Sequence, residues 1–116
     1  MDAAALATSL IVQVREREVD LVLQVTNVSR DPVAVRFATA QSYDFVVSRG
    51  SERVWSWAAD RMFAQALREE ALAPEATWRY EATWAPESLP PGAYAVEAQL
   101  TSTSHPRSAR AEFQIP

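Results

Sequence analysis

Apolar and polar residues alternate with a period of two along much of this chain, and that pattern limits the fold more than any other feature. Trp78, Tyr80, Ala82 and Trp84 share one side of an extended backbone, with Thr77, Arg79, Glu81 and Thr83 on the other. Tyr94, Val96, Ala98 and Leu100 repeat the pattern, as do Phe113 with Ile115, Val33 with Val35 and Phe37, and Val19 with Leu21, Leu23 and Val25. Successive side chains of a strand point to opposite faces. Such segments therefore read as antiparallel strands with one face in a core and one in water. Turn residues separate them at Asn27–Pro32, Arg49–Ser51, Ala85–Gly92 and Ser102–Ser108. Every proline but the terminal Pro116 stands at a break, as it must where a ladder needs an N–H donor. Short strands at regular spacing predict an antiparallel β-sandwich of about seven to nine strands.

The stretch Ala58–Leu72 does not fit. It is rich in Ala, Leu, Met, Arg, Gln and Glu, and by propensity alone it reads as a helix.

A chain of 116 residues is expected to form one domain, spanning 1–116, with a real core. The composition, 48% apolar and 22% charged, is that of a globular protein rather than a disordered one. A net charge of −4 argues against a nucleic-acid partner. No apolar run is long enough to span a bilayer. Cysteine is absent, so disulfides, thiol chemistry and thiolate metal sites are excluded. The N-terminus has Asp2 where a leader would carry basic residues, so it does not read as a signal peptide. A cytoplasmic location is the expectation, and a chain whose export signal had been removed would read the same.

The residues of chemistry are sparse. Two glycines, Gly50 and Gly92, cannot build a phosphate-cradling loop. The lone His105 precedes Pro106 with no carboxylate nearby to orient it, and reads as a solvated loop residue rather than a general base. One histidine with scattered carboxylates makes no recognisable metal site. Asp44, between Tyr43 and Phe45, could be a buried acid with a raised pKa. It reads better as an acceptor for backbone N–H groups at a strand edge or bulge, with Gln41 in a similar role. Trp55 and Trp57 share a strand face and suit packing better than a sugar or peptide platform. Trp78 and Trp84 are expected as core and rim. The predicted core is Leu21, Leu23, Val25, Val35, Phe37, Tyr43, Phe45, Trp55, Phe63, Trp78, Tyr80, Tyr94, Val96 and Phe113. No catalytic residue, cofactor or metal is assigned, and the chain is expected not to be an enzyme.

Four short segments stand in a telling order: Gln41-Ser-Tyr43-Asp44-Phe45, Val54-Trp55-Ser-Trp57, Met62-Phe63-Ala-Gln65 and Pro90-Pro91-Gly92-Ala-Tyr94. Together they resemble the BsuPI family of bacterial intracellular proteinase inhibitors, over roughly Leu21–Leu100. The resemblance implies an immunoglobulin-like sandwich, a protein partner and, as for the founding member, inhibition of serine proteases of the subtilisin type. It also implies a strand over Phe63–Arg68 after a tight turn near Asp60, against the helical composition. Ala40 and Glu75 stand where the family usually carries glycine, both expected in turns. The alternative is a non-enzymatic interaction or scaffold module, free-standing or part of a cell-envelope protein, since a sandwich does not fix function.

An inhibitor of this kind offers an extended loop that pairs in the substrate cleft as an added strand, and a rigid loop loses less entropy on docking. The proline-rich Ala85–Gly92 is the stiffest candidate, with Pro86, Glu87, Ser88, Leu89 and Pro90 as contacts and Leu89 as the residue that enters the pocket. Arg30 and Ser102–Arg107 are rivals.

Overall fold

The computed structural model describes residues 5–116, so the reading of the first residues as lacking a leader lies largely outside it. Among the described residues there is no helix. Nine strands follow one another: β1 (Leu6–Val14), β2 (Val19–Asn27), β3 (Val33–Phe37), β4 (Tyr43–Arg49), β5 (Glu52–Ser56), β6 (Arg68–Leu72), β7 (Thr77–Trp84), β8 (Gly92–Leu100) and β9 (Arg107–Ile115). They form an antiparallel, immunoglobulin-like sandwich. One layer has the order β1-β2-β7, the other β5-β4-β8-β9, and the pair β3-β6 completes the molecule.

The alternation read from the sequence is the register seen here. Leu21 lies opposite Ala82, Leu23 opposite Tyr80 and Val25 opposite Trp78, while Phe45 faces Ala98 and Val47 faces Val96. Leu21, Leu23, Val25, Val35, Phe45, Val47 and Val96 have no exposed surface. Rings from the facing layers meet between them: Tyr43 on Tyr80 and Trp84 on Tyr94. Each such residue contributes about 1.5–3 kcal/mol by burial.

The core differs from the expectation at its margins. Tyr43, Trp55, Phe63, Trp78 and Tyr80 are half-buried. Trp84, expected at the rim, is buried between Trp55 and Tyr94, and Trp78 is the less buried of the two. Strand β1 was not anticipated, because the apolar run Leu10-Ile11-Val12 hides its alternation. It pairs along its whole length with β2.

The strand implied over Phe63–Arg68 is absent. Residues 61–67 are irregular, and the strand is Arg68–Leu72, with Phe37 opposite Arg68 and Val33 opposite Leu72. The turn near Asp60 is present. His105 is also not solvated. It is buried, its backbone N–H donates to Ser102 Oγ at 3.0 Å, and Ser104 Oγ lies 2.9 Å from its Nδ1. The same loop is held to β3, where Ser102 Oγ donates to the Arg36 carbonyl at 2.7 Å and the Arg36 N–H donates to Ser104 Oγ at 2.9 Å. Local polarity suggested exposure, and these long-range bonds fold the loop inward.

Of the two positions where the resemblance expects glycine, only Glu75 needs one. Its φ is +66°, the only non-glycine in the left-handed region among the described residues. Its N–H donates to the Asn27 carbonyl at 2.8 Å, which fixes the turn before β7. A Cβ in that region costs about 1–2 kcal/mol, partly offset by the lower unfolded-state entropy of a non-glycine residue. Glu75→Gly should therefore stabilise the fold by about 0.5–1 kcal/mol, read as a higher urea midpoint. A lower midpoint would show that the Glu75 side chain compensates for the strain.

Candidate functional site

The signature segments gather at the two ends of β4. At its N-terminal end Asp44 acts as the expected acceptor. Its Oδ1 receives the N–H groups of Phe45 and Ala58 at 2.8 and 3.0 Å, and Ser56 Oγ donates to Oδ2 at 3.1 Å. With the Trp57 N–H donating to the Phe45 carbonyl at 2.9 Å, Asp44 ties the turn after β5 to β4. Gln41 works beside it. Its Nε2 donates to the Tyr43 carbonyl at 3.1 Å, and its own carbonyl accepts from Thr101 Oγ1 at 2.9 Å.

A ladder of rings rises from the core at this end. Tyr80 stacks on Tyr43 at 4.7 Å, Tyr43 on Trp57 at 4.2 Å, and Phe63 tilts against Trp57 at 5.9 Å. Burial pushes the Tyr80 phenol up to about 12, with the Glu70 carboxylate adding and Arg68 opposing. Burial raises Tyr43 as well, against the pull of Arg61. The ladder is therefore neutral over the physiological range. Trp57 is accounted for by packing, as is Trp55, which stacks on Trp84 at 6.4 Å.

Two arginines close the segment that follows. Arg61 lays its guanidinium over the Trp57 ring at 4.2 Å and donates through Nε to the Trp57 carbonyl at 2.9 Å. Arg68 sits over Phe37 at 4.0 Å, donates through Nε to the Thr39 carbonyl at 2.9 Å and through Nη2 to Ser42 Oγ at 2.7 Å, and pairs with Glu70. Planar guanidinium groups suit such combined stacking and fork-like donation. Between the clamps Met62 is 99% and Leu67 88% exposed, far above any other large apolar side chain described. Gln65 is exposed as well.

The other end of β4 carries the remaining signature. Tyr94 is buried and its hydroxyl donates to the Pro90 carbonyl at 2.6 Å, so a buried tyrosine ties back to the chain just upstream. Arg49 donates to the Pro91 carbonyl at 2.8 Å. Gly92 has φ +141°, and a Cβ there would meet Arg49 at 3.1 Å. Leu89 is half-buried and packs against the core. Glu87, Ser88 and Pro90 are exposed, while Pro86 is half-buried. The Ala85–Gly92 loop is thus tied to the C-terminal end of β4 through Arg49, and the turn that leads into the Met62 segment to its N-terminal end through Asp44.

Ser104 beside His105 Nδ1 has the outline of a nucleophile and base, but its oxygen also accepts the Arg36 N–H within a loop staple. Among the described residues, no group of three or more His, Asp or Glu is placed to hold a metal ion, and no helix is long and apolar enough to cross a membrane.

The family model described as BsuPI, intracellular proteinase inhibitor, matches residues 6–105. The chain belongs to the BsuPI family. The comparison with curated proteins returned no match. Among solved structures, the chain is similar to part of a penta-heme cytochrome c552 from Thermochromatium tepidum, with TM-score 0.55 and 12% identity over 97% of this chain. It spans 40% of that cytochrome's length, and at this identity the likeness concerns the sandwich fold alone.

Sequence reasoning found the BsuPI signature, the acceptor role of Asp44 and the buried place of Tyr94, whereas Gln41, expected as an acceptor like Asp44, instead donates through its side chain to the Tyr43 carbonyl. Sequence reasoning also missed the exposure of Met62 and Leu67. The signal was present in the helix-like composition of a segment with nothing to cover its apolar residues, but exposure itself depends on the whole fold.

Proposed function

We propose that this BsuPI-family chain acts as one sandwich unit, 1–116, that binds and inhibits a serine protease of the subtilisin type without turnover, metal or cofactor. The match of the family model over residues 6–105 carries this reading. The family's description as intracellular favours a cytoplasmic target. Support comes from the placement of the signature: its buried members hold a rigid end of the sandwich, and rigidity favours tight docking.

The deciding experiment titrates purified protein into a panel of subtilisin-like, trypsin-like, cysteine and metallo-proteases. Activity of a subtilisin-like member should fall stoichiometrically, with no effect of a chelator on the inhibitor and no effect on the cysteine and metallo classes. A full panel left active would instead support the scaffold reading, in which the sandwich binds a partner that is not a protease.

A further inference from the structure

We propose that the clamped segment Arg61–Leu67 is the loop that enters the protease cleft, with Met62 in the pocket that recognises the residue before the scissile bond. The proposal rests on the inhibitor reading above and assigns it a contact site. Its partner is a serine endopeptidase whose primary pocket takes a long, unbranched apolar side chain.

Four observations converge. First, residues 61–67 form neither helix nor strand, yet they are pinned at both ends by Arg61 on Trp57 and Arg68 on Phe37. A third point of attachment lies between, where the Ala40 N–H donates to the Ala64 carbonyl at 3.0 Å. Second, Met62 and Leu67 are almost wholly exposed. Single exposed apolar residues are common, but the two most exposed large ones described both fall in this one segment. Third, Met62 and Phe63 make no backbone hydrogen bond among the described residues. Their N–H and C=O groups are available to pair as an added strand, the way extended peptides bind in clefts. Fourth, Phe63 is held on Trp57, so its neighbour Met62 projects away from the body. The chain after Met62 is thereby fixed in place, which limits the ordering cost of docking.

The loop Ala85–Gly92 lacks these properties. Leu89 packs against the core, and Pro90 is tied to Tyr94. Its rigidity serves the sandwich.

The test uses the full chain against subtilisin with a chromogenic peptide substrate. Three variants are compared: Met62→Asp, Met62→Leu and Leu89→Ala. A residue as exposed as Met62 can change without unfolding the protein, and thermal melts of each variant check this. Met62→Asp should weaken inhibition by about 100-fold or more, the effect of removing a central anchor and placing a charge in an apolar pocket. Met62→Leu should stay within about tenfold, and Leu89→Ala within about threefold of the unaltered protein. Hydrogen exchange with an inactive subtilisin should show the Met62 and Phe63 amides slowed in the complex. If the unaltered protein inhibits and Met62→Asp inhibits equally well, or the slowed amides lie in residues 85–92, the loop assignment is overturned while the inhibitor reading stands. If the unaltered protein inhibits no protease of the panel, both are overturned.

Discussion

Phe37→Ala should lower the unfolding free energy by about 3–5 kcal/mol, the range for deleting a buried aromatic ring. Phe37 ends β3, is 1% exposed and touches Trp78 ring to ring at 6.4 Å. The ring also carries the Arg68 guanidinium at 4.0 Å. The substitution therefore opens a cavity and also strips one clamp of the Met62 segment of its platform. Urea unfolding should show a lower midpoint with an unchanged slope. Proteolytic nicking within residues 61–67 should become faster than the stability loss alone predicts, while the Leu89 loop stays resistant. Phe37→Leu refills part of the space and should recover roughly half of the loss. A loss below about 1 kcal/mol for Phe37→Ala would mean that the pair β3-β6 contributes little to the core.

Asn27→Ala should cost about 3–4 kcal/mol, a large effect for a polar residue. Asn27 has no exposed surface and closes the end of β2. Its Nδ2 donates to the carbonyls of Asp31 and Leu72 at 2.8 and 2.9 Å. Its Oδ1 accepts from the Ser29 N–H and hydroxyl at 2.9 and 2.7 Å. One side chain thus joins β2, the β2–β3 turn and the end of β6. Three of the four partners are only part-buried, so the bonds contribute about 0.5 kcal/mol each, about 2 kcal/mol together, and the Leu72 carbonyl that loses its buried donor adds about 1–2. Asn27→Asp places an acceptor against two carbonyls and should be at least as damaging at neutral pH. Part of that loss should return on acidification, when the carboxyl regains a proton to donate. Thermal denaturation of both variants at neutral and mildly acid pH checks the argument. An Asn27→Ala protein as stable as the parent would show that water replaces the amide.

Much of this protein was legible in its residues because strands that bury one face must alternate. The sequence was enough for β2, β3, β7, β8 and β9, for the turns with their prolines, and for the all-β class. It also carried the four ordered segments that mark the BsuPI family, and the role of Asp44, since a carboxylate at a strand end finds a backbone donor in the next residue, here the Phe45 N–H. What escaped depends on partners distant in the chain. His105 is polar and sits next to proline, but bonds from Ser102 and Ser104 to Arg36 draw its loop into the body. Glu75 takes a left-handed turn unsuited to it, because Asn27 fixes the chain on either side. The segment 61–67 has a helical composition and forms no helix, since the rings of Trp57 and Phe37 capture the arginines at its ends. Leu89 is the contact residue that the sequence suggests, and Met62 stands there only as part of a signature segment, although both are apolar residues outside the strands. Packing against the core removes the first from solvent and leaves the second outside. Periodicity determined which residues face inward along each strand, because that is a local geometric property of extended backbone. Which loop faces outward was decided only by the tertiary structure, because exposure depends on what the rest of the chain brings alongside.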